Sequence, residues 1–457
     1  MLTVVNPATG APFAEVASSG VDETDAAVVR AQEAFGPWRA VAPARRAQLL
    51  RRLAGLVEEN VEALALTETR NVGKPISDSR GEIGMVAEVF HFYAGAVDKH
   101  HGTTVPVAGG LDYTVHEPLG VVAAIVPWNF PLAITSWKVA PALACGNTVI
   151  VKPAELTPLT ALRLAELALE AGIPEGVLQV LPGRGSVVGS RLVEHPGVAK
   201  VAFTGSTEVG REIMVKAAAT LKRVTLELGG KSANVVFADA DLERAAAAAP
   251  LAVFGNAGQD CCARSRILVE RSALDRFVAL LSVATDRLAI GDPEDPATEM
   301  GPLVSSEQRE TVRGFLDAES AGASIVSSRD SSFFERPGWW LAPTIVAPAD
   351  PRWRVAREEV FGPVACVIPF DDEADAVRIA NDSIYGLSGS IWTQSSSRAV
   401  RMARAVAAGT LSVNSNTSVR VGTPFGGMRQ SGFGRELGME ALSSYSEIKN
   451  VFVSADG

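Results

Sequence analysis

Residues 118–137 read PLGVVAAIVPWNFPLAITSW, twenty residues without a charge. That length meets the criterion of roughly 20 apolar residues for a membrane-spanning helix. Pro127 and Pro131 sit inside it, with Asn129 between them. Each proline removes a backbone donor and disrupts a helix interior. The stretch therefore reads as a buried strand, VVAAIV (121–126), then a turn, then a new helix over Leu132–Cys145. A fully apolar strand is buried on both faces, which is the habit of parallel sheets covered by helices.

The pattern continues toward the C-terminus. TVIVKP (148–153), VLQVLPG (177–183), KVAFTG (200–205) and RVTLELGG (223–230) read as further strands. Helical stretches separate them at Pro158–Ala171, Ser186–Glu194 and Glu208–Ala219. Short apolar strands alternating with helices indicate a parallel, doubly wound α/β sheet. Ligands of such sheets bind beyond the carboxyl ends of the strands. Residues 231–439 repeat the α/β character more loosely, with strands expected at 233–238, 266–270, 344–348, 365–370, 388–393 and 409–414. The alanine run 245–249 reads as a helix ending near Pro250, and SSRDSS (327–332) as an exposed loop.

Toward the N-terminus the first hundred residues read as helical. One helix starts at an Asp22 cap and stops near Gly36-Pro37, a second starts near Pro43, and a third covers Gly81 to Ala94. GTTVPVAGGLDYTVHEP (102–118) differs, reading as a β-hairpin around Gly109-Gly110. A lone hairpin is marginal, so it must pack on something else. YSEIKNVFV (445–453) is a final strand candidate.

Composition narrows the class. The 457 residues are 47% hydrophobic and 21% charged, which is ordinary globular usage. Their net charge of −10 disfavours nonspecific binding to nucleic acid or anionic membranes. MLTVVNPATG shows no signal peptide, and four cysteines do not make a disulfide framework. A protein of a reducing compartment, the cytoplasm, is expected.

Chemistry concentrates at strand ends. Gly258-Gln259-Asp260-Cys261-Cys262 holds the most informative cysteines. Alone, a cysteine there is a small buried hydrophobe; as a nucleophile it needs a base and an electrophile-stabilising donor. Adjacent cysteines lack zinc-site spacing, and the five histidines show no ligand motif, so no metal is expected. Glu227, inside VTLELGG, is costly to bury unless paired, for example with Lys231, or functional as a base. Asn129 offers a neutral amide suited to an oxyanion, or else a turn or cap. Gly205-Ser206 opens a helix after a strand, where free N–H groups favour phosphate. GRGSVVG (183–189) is a near miss to a dinucleotide fingerprint. Lys152 and Glu155 end another strand and suit ribose hydroxyls or a surface ion pair.

Together these pieces resemble the NAD(P)-dependent aldehyde dehydrogenase superfamily. The resemblance runs from Asn6-Pro7-Ala8-Thr9-Gly10 to the final strand and includes PWNFP, KPAE, FTGSTEVG, LELGGKS, GQDC, EEVFGP (358–363), NDSIYGLSG (381–389) and PFGGMRQSGFGRE (424–436). It implies a Rossmann-type cofactor domain (1–100 and 119–229), an α/β catalytic domain (230–439) and a small β oligomerisation element (101–118 and 440–457). It also implies a homodimer or homotetramer.

The implied roles follow position by position. Cys261, not Cys262, aligns with the catalytic thiol, Glu227 with the general base and Asn129 with the oxyanion amide. Lys152 and Glu155 look like contacts to the adenosine ribose. Gly205 and Ser206 look like the pyrophosphate turn, and Glu359 like the nicotinamide-ribose ligand. Phe361 and Trp128 are expected near the cofactor. Lys138 resembles a lysine on the family's proton path. The implied reaction is oxidation of an aldehyde to a carboxylic acid through a thiohemiacetal and a thioester on Cys261. Glu155 favours NAD, with NADP possible, because a carboxylate there repels a 2′-phosphate.

Phe130, Ile134, Trp137 and Asp260 are expected to line the substrate pocket, with the loop Asn416–Val421. GQDC resembles the γ-aminobutyraldehyde and other ω-aminoaldehyde dehydrogenases, where Asp260 would attract an ammonium head. Asp260 turned toward Arg264 or Arg266 is the alternative. Arg420, if inward, pulls the specificity toward acidic aldehydes. Two competing functions are a CoA-acylating aldehyde dehydrogenase and a non-catalytic structural relative. The joint presence of Cys261, Glu227 and Asn129 disfavours both.

Overall fold

The computed structural model describes residues 1–319, 325–326, 334–417 and 419–455. The loop expected at 327–332 lies outside them. Val121–Ile125 is a strand with every residue buried, and Pro131–Cys145 is the helix after it. Pro131 occupies the first helical turn, where its missing N–H costs nothing. Among the described residues no helix is long and apolar enough to cross a membrane.

The first large sheet runs, edge to edge, Gly432–Phe433, Arg223–Glu227, Lys200–Thr204, Val121–Ile125, Thr148–Lys152, Leu178–Val180. All pairs are parallel except Gly432–Phe433, which lies antiparallel to Leu226 and Glu227. Strand order reverses between Val121–Ile125 and Lys200–Thr204, which opens a crevice at their carboxyl ends. Leu50, Phe90, Leu132, Leu143 and Leu164 belong to the core on one face. Val28, Leu192 and Ile213 belong to the core on the other.

The second sheet has seven strands, in the order Ile325–Val326, Thr344–Val346, Val364–Phe370, Arg266–Glu270, Ala233–Val236, Ser388–Trp392, Thr410–Val413. It is parallel except at Ile325–Val326. Its order reverses beside Ala233–Val236.

Several expectations need correction. The first hundred residues are not all helical. Leu2–Asn6 and Ala11–Val16 form an antiparallel pair around the turn at Pro7 to Gly10, where Gly10 has φ +70°. The first helix, Val21–Arg39, is capped by Gly20 and carries Pro37 inside. The second, Pro43–Glu59, breaks at Asn60 before Val61–Val72. Leu242–Phe254 runs through Pro250, because five preceding alanines supply the strongest helix propensity. Residues 185–189 form a π-helical turn that leads into Ser190–Glu194. In the 102–118 segment only Thr104–Val105 pairs back on Asp112 and Tyr113. The main partner of Gly110–Pro118 is the tail strand Ser446–Ser454, paired along nine residues.

Candidate active site

The turn after Val121–Ile125 presents Trp128, Asn129 and Phe130. Asn129 is buried, and its Nδ2 donates to the Gln259 carbonyl at 2.9 Å. Asn256 Nδ2 donates to the Asn129 carbonyl at 3.0 Å. The amide is therefore tied to the backbone immediately before Asp260-Cys261, and one Nδ2 hydrogen stays available to a ligand.

The cysteine loop owes its shape to three consecutive left-handed residues: Asn256 at φ 49°, Ala257 at 55° and Gly258 at 73°. A Cβ on Gly258 would sit 2.1 Å from the Gly362 carbonyl, so only glycine fits. Gln259 is wholly buried; it donates to the Asn256 carbonyl and accepts from the Val304 N–H at 2.9 Å. Asp260 accepts from the Cys262 N–H at 2.8 Å. Arg266 donates to three carbonyls, those of Lys231, Ile379 and Ala380, which occupies its guanidinium away from Asp260. Burial raises the Asp260 carboxyl above its ordinary value. The Cys261 thiol is raised well above its own, by its hydrogen bond with Cys262, by burial, and by the negative charge around it.

Glu227 ends its strand with both carboxylate oxygens buried and without a hydrogen-bond partner among the described residues. Burial, then the Glu436 charge, raises its pKa well above the ordinary value; Lys138 and Arg435 oppose that rise. Lys231 is likewise buried without a hydrogen-bond partner among the described residues, so a Glu227–Lys231 ion pair does not form. Lys138 instead pairs with Glu436 at 2.6 Å.

Glu359 accepts from the Gly230 N–H at 2.9 Å, and burial pushes it up to about 7. Phe361 has φ 56° and meets Trp128 edge to face at 5.2 Å. Lys152 is 5% exposed, and burial lowers its pKa. Glu155 accepts from the Gly185 N–H at 2.9 Å. Ser206 caps Thr207–Ala217 by accepting from Val209 N–H.

Three cavities connect these groups. One of about 330 Å³ is lined by Phe130, Ile134, Trp137, Glu227, Asp260 and Cys261. A second, about 300 Å³, shares Ile134, Leu228 and Cys261 with it and adds Asn129, Glu359 and Phe361. A third, about 860 Å³, shares Trp128, Gly205 and Ser206 with the second and adds Lys152 and Glu155. The residues read as catalytic, cofactor-binding or pocket-wall groups each line one of the three, while Lys138 lies behind them, paired with Glu436.

Arg420 is exposed and lines none of them, although Asn416, Thr417 and Val419 of its loop line the first. A fourth cavity shares Glu82, Met85, Phe130 and Asp260 with the first and adds Asp78. The sequence reading missed Glu82, Asp78, Gln308 and Thr311, which lie on ordinary amphipathic helices and carry no motif. It also missed Asn256, whose only signal is the Asn-Ala-Gly run before the cysteines. Zinc spacing is absent, yet donor atoms of Asp260, Cys261 and Cys262 lie within 4.8 Å of one another.

The arrangement places a thiol, a buried carboxylate and an amide donor where a small cavity meets a long cleft. Comparison with known proteins gives the same picture. The family model "Aldehyde dehydrogenase family" matches residues 1–451. The chain is 44% identical over 459 aligned positions to the NADP/NAD-dependent aldehyde dehydrogenase PuuC of Escherichia coli, covering 99% of this chain and 92% of that protein. It is 42% identical to human retinal dehydrogenase 2, covering 98% of this chain and 88% of that one. The crystal structure of PnpE in complex with nicotinamide adenine dinucleotide superposes with a TM-score of 0.97 at 44% identity, covering 100% of this chain and 94% of that one. Motifs, fold and comparisons agree over almost the whole length: the chain belongs to the aldehyde dehydrogenase family.

Proposed function

We propose that this protein oxidises an aldehyde to the carboxylic acid with NAD as acceptor, NADP being the second choice. The observation that carries the reading is the position of Cys261 on the wall common to two cavities, one of a size for a small aldehyde and one leading into the cofactor cleft.

The cleft residues suit a dinucleotide. Lys152 is a buried ammonium at a strand end, Glu155 lies beside it, and a capped helix start at Ser206 presents N–H groups to phosphate. Glu359 offers a carboxylate to ribose hydroxyls, and Gly229-Gly230 lets it approach closely, since a Cβ on Gly229 would sit 2.2 Å from Glu359 Oε2. When bound, NAD supplies the hydride acceptor.

The chain's own groups supply the rest. Cys261, as thiolate, attacks the aldehyde carbon. Asn129 Nδ2 and a backbone N–H stabilise the oxyanion. After hydride departure the acyl group is a thioester on Cys261. Glu227 takes a proton from water, which attacks the thioester and releases the acid and the thiol. A carboxylate with a raised pKa is a competent base near neutrality. The raised thiol pKa means that Cys261 reaches its thiolate with the help of a positive partner or a base.

The substrate class follows from the cavity wall. Asp260 on the wall of the first cavity supports an ω-aminoaldehyde, and Arg420 lines neither that cavity nor the adjoining one; Glu82 on the same wall is paired with the buried Lys74 at 2.5 Å and leaves Asp260 as the carboxylate for an ammonium head. The same reading divides the chain into a cofactor domain (1–100 and 119–229), a catalytic domain (230–439) and an oligomerisation element (101–118 and 440–457). A homodimer or homotetramer in the cytoplasm goes with it; exposed Leu111, Ile448 and Phe452 on the three-stranded sheet give that element apolar surface to cover.

The test is a panel of aldehydes with NAD and with NADP, followed by NADH or NADPH absorbance and by product analysis. Carboxylic acid formation that disappears in Cys261→Ala is expected. Turnover by that variant, or no product from any aldehyde, overturns the reading. A product seen only with CoA present would identify the acylating alternative.

A further inference from the structure

We propose that Asp260, Cys261 and Cys262 form a capture site for a thiophilic divalent cation, Zn²⁺ or Cd²⁺, whose occupation stops turnover. The reaction uses Cys261 and leaves Cys262 without a role, yet Cys262 is held beside it. Cys262 is 8% exposed, its sulfur lies within 4.8 Å of that of Cys261, and its N–H anchors the Asp260 carboxylate at 2.8 Å. Arg264 donates to the Cys262 carbonyl, which secures the same segment from the other side. The carboxylate is thereby folded back over the two sulfurs, and one donor atom from each residue falls within a 4.8 Å cluster. All three residues line the same cavity of about 330 Å³, so a cation has a route to them.

The donor set decides which ion. Two sulfurs and one oxygen select a soft or borderline cation over Mg²⁺ or Ca²⁺. Zinc bonds to sulfur at about 2.3 Å and to carboxylate oxygen at about 2.0–2.2 Å, in a tetrahedron. Those lengths require donors roughly 3.5–3.8 Å apart. The donor atoms, now within 4.8 Å of one another, have to draw together to reach that range. The cavity leaves the fourth position to water. Each ligating thiol gives its proton to solvent, so capture strengthens as pH rises. With the metal bound, the Cys261 lone pair is engaged and cannot attack a carbonyl carbon. This last step rests on the reading of Cys261 as the nucleophile; capture itself does not.

The experiment separates the two. CdCl₂ is titrated into the reduced protein, and thiolate-to-cadmium ultraviolet absorption is followed alongside aldehyde oxidation. Absorption saturating at one equivalent, with turnover lost in parallel, is expected. Cys262→Ser should keep metal-free turnover and lose cadmium affinity by at least the roughly 10–100-fold that even an outer-shell partner's loss costs. Asp260→Asn gives an independent comparison should the serine variant not fold, with about tenfold weaker capture expected. Cys145→Ser and Cys366→Ser should bind cadmium as the wild type does. Equal cadmium affinity in wild type, Cys262→Ser and Asp260→Asn overturns the capture site. Saturated absorption with undiminished turnover overturns the inhibitory step. A protein that binds cadmium at these residues but oxidises no aldehyde would leave capture standing and refute the proposed function.

Discussion

Lys138 and Glu436 form an ion pair at 2.6 Å with both side chains buried, and both charges act on Glu227. The pair is 298 residues apart in sequence and joins the helix Pro131–Cys145 to the segment behind the base. Removing the cation alone leaves a buried carboxylate unpaired, which costs about 3–5 kcal/mol. Lys138→Met should therefore lower Tm, and it should also raise the Glu227 pKa further. The acid limb of the kcat–pH profile should move to higher pH, because the base must be ionised to activate water. A profile unchanged in position would separate Lys138 from the base.

Glu227→Gln should slow release of the acyl group and leave its formation intact. A burst of NADH followed by a slow steady state, with thioester trapped on acid quench, is the expected signature. A steady-state rate equal to that of the wild type would contradict the role.

Glu359 titrates near 7 because it is buried, against an ordinary value of 4.5. A carboxyl with a raised folded pKa binds more protons folded than unfolded. Its contribution to stability is intact below pH 4.5 and is lost as pH rises toward 7. At about 1.4 kcal/mol per unit the loss is at most about 3 kcal/mol, less where the group meets solvent. Glu359→Gln should consequently raise Tm at pH 8 relative to wild type and leave it little changed at pH 4.5. The same variant should raise KM for NAD about tenfold, one hydrogen bond to a charged group being worth about 1.5 kcal/mol. A Tm difference that does not grow with pH would refute the linkage.

Gly229→Ala tests the approach of Glu359 from the other side. Its Cβ would overlap the Glu359 carboxylate at 2.2 Å, so KM for NAD should rise while the fold survives. Gly55→Ala is the matched control. Its Cβ meets nothing within 4 Å, and in the helix Pro43–Glu59 it should stabilise by about 0.5–1 kcal/mol. The comparison is read from Tm and from NAD kinetics of both variants.

Asp260→Ala should reduce kcat/KM for 4-aminobutyraldehyde and leave that for a neutral aldehyde of equal length nearly unchanged. No preference in either protein would remove the aminoaldehyde assignment.

These residues differ in how readable they are. Val121–Ile125 is legible because an uncharged run cut by two prolines has one economical reading. Glu227 and Cys261 stand out because a carboxylate in an apolar strand and a cysteine after Gly-Gln are chemically conspicuous. The pair Leu2–Asn6 and Ala11–Val16 is hidden, because its outer strand reads exposed at most positions and lacks the apolar alternation that marks a strand. Pro37 and Pro250 mislead in the other direction, since both lie inside helices, and at Pro250 five alanines on its N-terminal side carry the helix past it. Glu82 and Gln308 acquire meaning only when distant helices bring them to a cavity wall. Asn256 lies between these cases: its strained turn is visible as Asn-Ala-Gly, but its bond to Asn129 is a fact of tertiary structure.

The short strand Gly432–Phe433 has a consequence for biosynthesis. It closes the edge of the first sheet beside Leu226 and Glu227, some two hundred residues after them in the chain. A nascent polypeptide can complete the parallel part of that sheet early, yet the rim beside Glu227 stays unpaired until some two hundred further residues have been translated. Over that interval the edge is open to pairing with another molecule. A ribosome stalled between residues 227 and 432 would hold a polypeptide with that edge open and prone to aggregate, which makes this interval the vulnerable stage of its manufacture.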